Sequence, residues 1–204
     1  MSQSIEYFMV PNSPWTCLGH QRFRDIAKSA GAAIELLPFD LGQVFPISGG
    51  LPLAKRAPQR QAYRLMELRR FAEHLRLPIH IEPRYFPVNA DLATKLIIAV
   101  QIHDSTERAL DIAGAMLSAV WMEQRDIADA ATLAALLAEQ SLPAARLEQA
   151  RAPAVQQRLD ANTQRAIARG VFGAPTYVID NELFWGQDRL EFVARRLAPG
   201  ASTG

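Results

Sequence analysis

Cysteine is almost missing from this chain: there is one, Cys17, in 204 residues. A lone thiol cannot close an intrachain disulfide, has no resolving partner for thiol–disulfide exchange, and cannot assemble a cysteine-based zinc cage. That usage suits a reducing cytoplasm. The four histidines, His20, His74, His80 and His103, are scattered and read as surface or packing residues, so no metal site is expected. No run approaches the roughly 18 consecutive apolar residues of a membrane helix, and the first residues lack the basic-then-apolar pattern of an export signal. Neither charge is in excess, with 22 basic against 21 acidic residues. Neither nucleic acid nor membrane is therefore an expected partner.

Apolar surface is what the chain does have. Nearly half its residues, 49%, are apolar, enough for one sizeable core or for a small domain with a large insertion. Ile5 to Val10 has strand composition. Ser13-Pro14 then reads as an N-cap and first helical position, Leu18, Phe23, Ile26 and Ala27 follow at helical spacing, and Gly31 ends the segment. Ala33 to Phe39 reads as a second strand, which makes the first forty residues a β-α-β unit.

From about residue 58 to 169, Ala, Leu, Arg, Glu and Gln dominate. Helices are expected at Ala57–Arg76, Asn89–His103, Ser105–Arg125, Asp129–Gln140, Pro143–Arg151 and Pro153–Arg169, with the proline-rich Leu77–Val88 crossing between them in extended form. Strand character returns at Pro175–Ile179 and Glu182–Trp185 around the hairpin signal Asp180-Asn181, and a last helix spans Gln187 to Leu197. The chain thus leaves a first domain, residues 1–45, and returns to it at 165–204, with a helical insertion at 46–164.

Taken alone, Ser13 is a helix cap, Pro175 a strand-starting proline, Asn89 and the Gln187-Asp188 pair further helix caps, and Cys17 a buried structural thiol. Their order says more. A strand, "SPW" at residues 13–15, a helical insertion with "YFPVN" at 85–89, and then "GVFGAPTYVIDNELFWGQDRL" near the end resemble the glutathione-dependent 2-hydroxychromene-2-carboxylate isomerases. These are close relatives of kappa-class glutathione transferases in the DsbA-like branch of the thioredoxin superfamily. The resemblance covers nearly the whole chain and implies an α/β, thioredoxin-like fold with a large all-helical insertion.

In the two-cysteine relatives the helix after the first strand opens with Cys-x-x-Cys; here those positions are Ser13 and Thr16, and Cys17 is out of register. The resemblance implies that Ser13 meets the thiol of bound glutathione, that Pro175 is cis, and that Ala174 before it pairs with the ligand backbone. It also implies that Gln187 and Asp188 take the γ-glutamyl end. The family's Lys-x-x-Tyr appears here as Arg60 and Tyr63, which keeps the charge but not the compact ammonium. Lys55 is a nearby substitute, and a solvated basic face is the simpler alternative. Trp15, Tyr63 and Asn89 are implied on the side of the aromatic substrate.

The resemblance implies an isomerase working with a borrowed sulfur nucleophile, and a helix start favours such a thiolate through its unpaired amides and dipole. A glutathione transferase and a non-catalytic glutathione-binding protein are the alternatives. A homodimer is implied as well.

Overall fold

The computed structural model describes residues 3–198. Its sheet has four strands in the order β2-β1-β3-β4, with β1 at Ser4–Met9, β2 at Ala33–Pro38, β3 at Thr176–Ile179 and β4 at Glu182–Trp185. β1 pairs parallel with β2 and antiparallel with β3, so the central strand joins the first and last parts of the chain. Asp180 and Asn181, both at positive φ (48° and 69°), make the tight turn of the β3–β4 hairpin, the backbone that a twisted two-residue loop requires.

The two-residue period of β1 assigns the faces. Ile5, Tyr7 and Met9 enter the larger core with α1 (Pro14–Ser29), α5 (Thr106–Trp121) and α9 (Leu190–Leu197). Phe8 and Val10 enter a second core with Leu37, Phe39, Val44, Ala166, Val171, Ala174 and Val178, which includes residues of α2 (Leu41–Ser48) and α8 (Pro153–Ala168). On that second face the carboxylate of Glu6 pairs with Arg165 and with Arg169, the latter at 2.9 Å.

The insertion is built from α3 (Pro58–Leu75), α4 (Asp91–His103), α6 (Ala130–Glu139) and the short α7 (Arg146–Gln149), together with α5 and most of α8. The larger core is continuous from Tyr7 of the sheet through Ile97 and Leu117 to Leu133 of α6. Both topological junctions fall inside helices, α2 spanning residues 45–46 and α8 spanning 164–165. We propose 1–45 with 165–204, and 46–164, as a division of chain path around this shared core.

Four elements differ from the sequence expectation. α2 is an additional helix, capped by Asp40, whose Oδ1 accepts from Gly42 N at 2.8 Å; Pro46 and the Gly49-Gly50 pair disguise it. α5 stops at Trp121 instead of Arg125, because Ser118 O accepts from both Met122 N and Glu123 N and the chain turns through Gln124 at φ 54°. The helix expected at 143–151 shrinks to α7. The last helix begins as a 3-10 turn, Gln187–Arg189, before α9.

Candidate active site

Beyond the end of β1, Val10 to Asn12 turn the chain into α1, and Ser13 caps that helix at φ −80°, ψ 126°. Ser13 Oγ accepts from Thr16 N at 3.2 Å and donates to Ala174 O at 3.3 Å. Capping uses only the oxygen's acceptor side, so a ligand can compete with Ala174 O for the hydroxyl proton without disturbing the cap. Pro14 at the first helical position removes an amide that would have no intrahelical partner in any case.

The Ala174–Pro175 bond is cis. Ladder pairing of β3 with β1 begins only at Thr176 opposite Phe8, which leaves the Ala174 backbone outside the sheet and suited to an added extended chain. Pro175 O accepts from Gly186 N at 2.9 Å, tying this segment to the turn that carries Gln187 and Asp188. A Cβ on Gly173 would lie 2.3 Å from Trp185 Nε1. Glycine therefore lets the Trp185 ring close down on residue 173, where it meets Phe172 in a tilted pair with centroids 4.8 Å apart. Both rings are largely exposed.

The structure separates the Gln187-Asp188 pair. Gln187 is buried against α1: a Cβ on Gly19 would lie 2.7 Å from Gln187 Cβ, and Arg22 Nη1 donates to Gln187 Oε1 at 2.8 Å. Its Nε2 is buried without a partner. Asp188 is exposed, with Arg189 Nη1 3.4 Å from its carboxylate. Only Asp188 of the pair is at the surface.

From the insertion, Asn12 Nδ2 donates to Val88 O at 3.1 Å and fixes a second cis segment, Phe86–Pro87, beside the residue before Ser13. Trp15 packs edge-on against Phe71 of α3, centroids 6.1 Å apart. Arg60 and Tyr63 are exposed on α3, Tyr63 with Arg70 5.9 Å from its ring, and no hydrogen bond joins either to the Ser13 group. Asn89 Oδ1 accepts from Asp91 N at 2.9 Å and so helps to start α4. The structure thus joins Ser13 to Ala174 before Pro175, attaches Gln187 and Asp188 through Gly186, and shows no bond from Arg60, Tyr63 or Asn89 to that group.

Three residues with no sequence reading stand out: Phe172 and Trp185 beside Gly173, and Arg64 on α3. Phe172 precedes Gly173 in the motif itself, and the β3–β4 hairpin brings Trp185 back to it. Arg64 is one turn beyond Arg60, and its guanidinium lies over the rings of Phe86 and Trp121.

Cys17 faces away from Ser13. Its Sγ donates to Leu117 O of α5 at 3.8 Å, and burial pushes the thiol up to about 12, so it stays protonated and inert at neutral pH. His20 is also inside: Nε2 donates to Leu110 O and Nδ1 accepts from Tyr7 Oη, both at 3.0 Å. Burial holds its pKa down at about 4, which keeps it neutral. Among the described residues no group of His, Cys, Asp or Glu is placed to hold a metal ion, and no helix is long and apolar enough to cross a membrane.

A helix start and a cis-proline segment meeting at one end of the adjacent strands β1 and β3, with a helical insertion between the strands, define a thioredoxin-like protein of the DsbA type. The chain belongs to the DSBA-like thioredoxin domain family, matched over residues 4–198. It is 27% identical over 199 residues to a 2-hydroxychromene-2-carboxylate isomerase of Sphingobium xenophagum, covering 95% of this chain and 97% of that one. It is 23% identical over 209 residues to the Homo sapiens glutathione S-transferase kappa 1, covering 97% and 92%. A solved 2-hydroxychromene-2-carboxylate isomerase superposes with TM-score 0.78 at 24% identity over 93% of this chain and 92% of its own. The relatives are isomerases and glutathione transferases, so the family evidence supports an enzyme.

Proposed function

We infer that this protein is a glutathione-dependent isomerase acting on 2-hydroxychromene-2-carboxylate or a similar intermediate of aromatic breakdown. The observation that carries this reading is the Ser13 hydroxyl at the start of α1, held against the carbonyl before cis-Pro175 where dithiol relatives place a reactive sulfur. The donor set fits a thiolate: one hydroxyl proton and the positive end of the α1 dipole, with no carboxylate bonded to Ser13. Bound glutathione would supply the sulfur that adds to a conjugated carbon and leaves again after rotation about the former double bond.

The chain's own work is to bind and orient. Ser13 turns its proton from Ala174 O toward the sulfur and stabilises the thiolate. Ala174 offers backbone groups to the extended peptide, and Asp188 an exposed carboxylate to its ammonium. Gln187 supports Asp188 from behind, a role that its burial favours over direct contact. Trp15, Tyr63 and Asn89 belong to the substrate side in this proposal, and Arg60 to the anionic end of glutathione. A cytoplasmic setting and a homodimer complete it; Ile47, Leu51, Tyr63 and Met66 are exposed apolar side chains available to a second copy.

Incubation with 2-hydroxychromene-2-carboxylate, with and without glutathione, tests the reading. The expected result is a glutathione-dependent change to the product spectrum with no consumption of glutathione. An unchanged spectrum removes the isomerase assignment, and accumulation of a glutathione conjugate makes the protein a transferase.

A further inference from the structure

Residues 41–66 hold Lys55, Arg56, Arg60 and Arg64 and no acidic residue, in a chain whose charges nearly cancel as a whole. Lys55 and Arg60 are exposed, and Arg56 donates through Nε to Leu51 O at 2.8 Å. Arg64 is drawn inward. Its guanidinium carbon lies 5.1 Å from the Phe86 centroid and 5.8 Å from that of Trp121. Its Nη2 is buried with no hydrogen-bond partner, and no carboxylate of the described residues pairs with it. Burial first, and then the charge of Arg56, lower its pKa to about 10, which still leaves it charged at neutral pH. Ring faces compensate only part of what a buried cation loses on leaving water.

The location gives this charge a use. Phe86 precedes cis-Pro87, and Val88 is bonded to Asn12, next to Ser13. α5 runs antiparallel to α1, since Cys17 meets Leu117 O and His20 meets Leu110 O. Trp121, at the end of α5, therefore lies alongside the first turn of α1. Both rings that hold Arg64 flank the helix start that would hold the sulfur.

We propose that Arg64 is a specificity-determining residue, binding the carboxylate of the electrophilic co-substrate while Phe86 and Trp121 keep its planar fork in place. This rests on the glutathione-dependent reading above. The counter-charge that the fold omits is supplied by the substrate, as a fixed guanidinium suits a carboxylate in two-point contact.

The test compares wild type with Arg64→Met and Arg64→Lys by calorimetric titration of cinnamate, of its neutral analogue cinnamamide, and separately of glutathione. Wild type should bind cinnamate roughly tenfold or more tightly than the amide, the scale of a charged hydrogen bond. Arg64→Met should lose that preference, Arg64→Lys should keep part of it, and glutathione affinity should be the same in all three. The methionine variant should also melt no lower than wild type, because it removes an unpaired charge and keeps a thioether on the rings. Persistence of the preference in Arg64→Met, or a matching loss of glutathione affinity, overturns the proposal; so does a methionine variant that fails to fold. A wild type that binds no glutathione contradicts the enzyme reading instead, and that result comes from a separate titration.

Discussion

One oxygen atom at Ser13 reconciles two readings that compete in the sequence. It caps α1 by accepting from Thr16 N, and its proton, lent to Ala174 O at 3.3 Å, can pass to a sulfur without uncapping the helix. Cys17, the more conspicuous atom in "NSPWTC", points at Leu117 on another helix. His20 carries the pH dependence of this region. Its folded pKa of about 4 lies below the ordinary 6.5, the result of burial, with Arg24 lowering and the Leu110 carbonyl and Asp111 raising it. A depressed value means that stability is complete above pH 6.5 and is lost as pH falls through about 4. The loss is on the order of 3 kcal/mol. Carboxylates with lowered values, such as Asp104 beside Arg146, act at still lower pH. Chemical denaturation between pH 7 and 4 should therefore show falling stability in wild type and a flatter profile in His20→Gln.

Among the elements, α1 was the most legible, because its cap, its proline and its apolar spacing all agree with its final packing. α2 was hidden, since Pro46 and Gly49 argue against a helix whose cap, Asp40, directly follows what reads as the end of a strand. The hairpin turn was legible because only residues tolerant of positive φ stand at 180 and 181. The contact of α1 with the Gln187 turn was not legible: Gly19 resembles an ordinary helix weak point, whereas the structure shows a site of close approach. A Cβ there would meet Gln187 Cβ at 2.7 Å, Tyr177 Oη at 3.1 Å and Gln187 Cα at 3.4 Å. Gly19→Ala gains about 1 kcal/mol of helix propensity but overpacks a junction, which costs roughly 1–3 kcal/mol. The expected net effect is a lower melting temperature together with weaker glutathione binding, as the turn bearing Asp188 is pushed off α1. Unchanged binding would detach that turn from the site.

At the scale of the whole molecule, the candidate site is assembled from chain segments far apart in sequence, Ser13 and Ala174 being 161 residues from one another. Motif order carried that pairing into the sequence reading, since strand, Ser-Pro-Trp and Gly-x-Pro-Thr fix which ends of the fold must meet. The same order said little about the insertion side, where Arg64, Phe86 and Trp121 meet only because three helical and loop segments converge. The meeting of Ser13 with Ala174 was therefore legible in the sequence, and the ring cradle of Arg64 was not.

The central claim is that Ser13 stabilises a borrowed thiolate. Ultraviolet titration of glutathione bound to wild type and to Ser13→Ala tests it most directly. The account predicts a bound thiol in wild type titrating well below the free value of about 8.5, moving back toward it in Ser13→Ala with a matching fall in turnover. A bound thiol that titrates identically in the two proteins would contradict it.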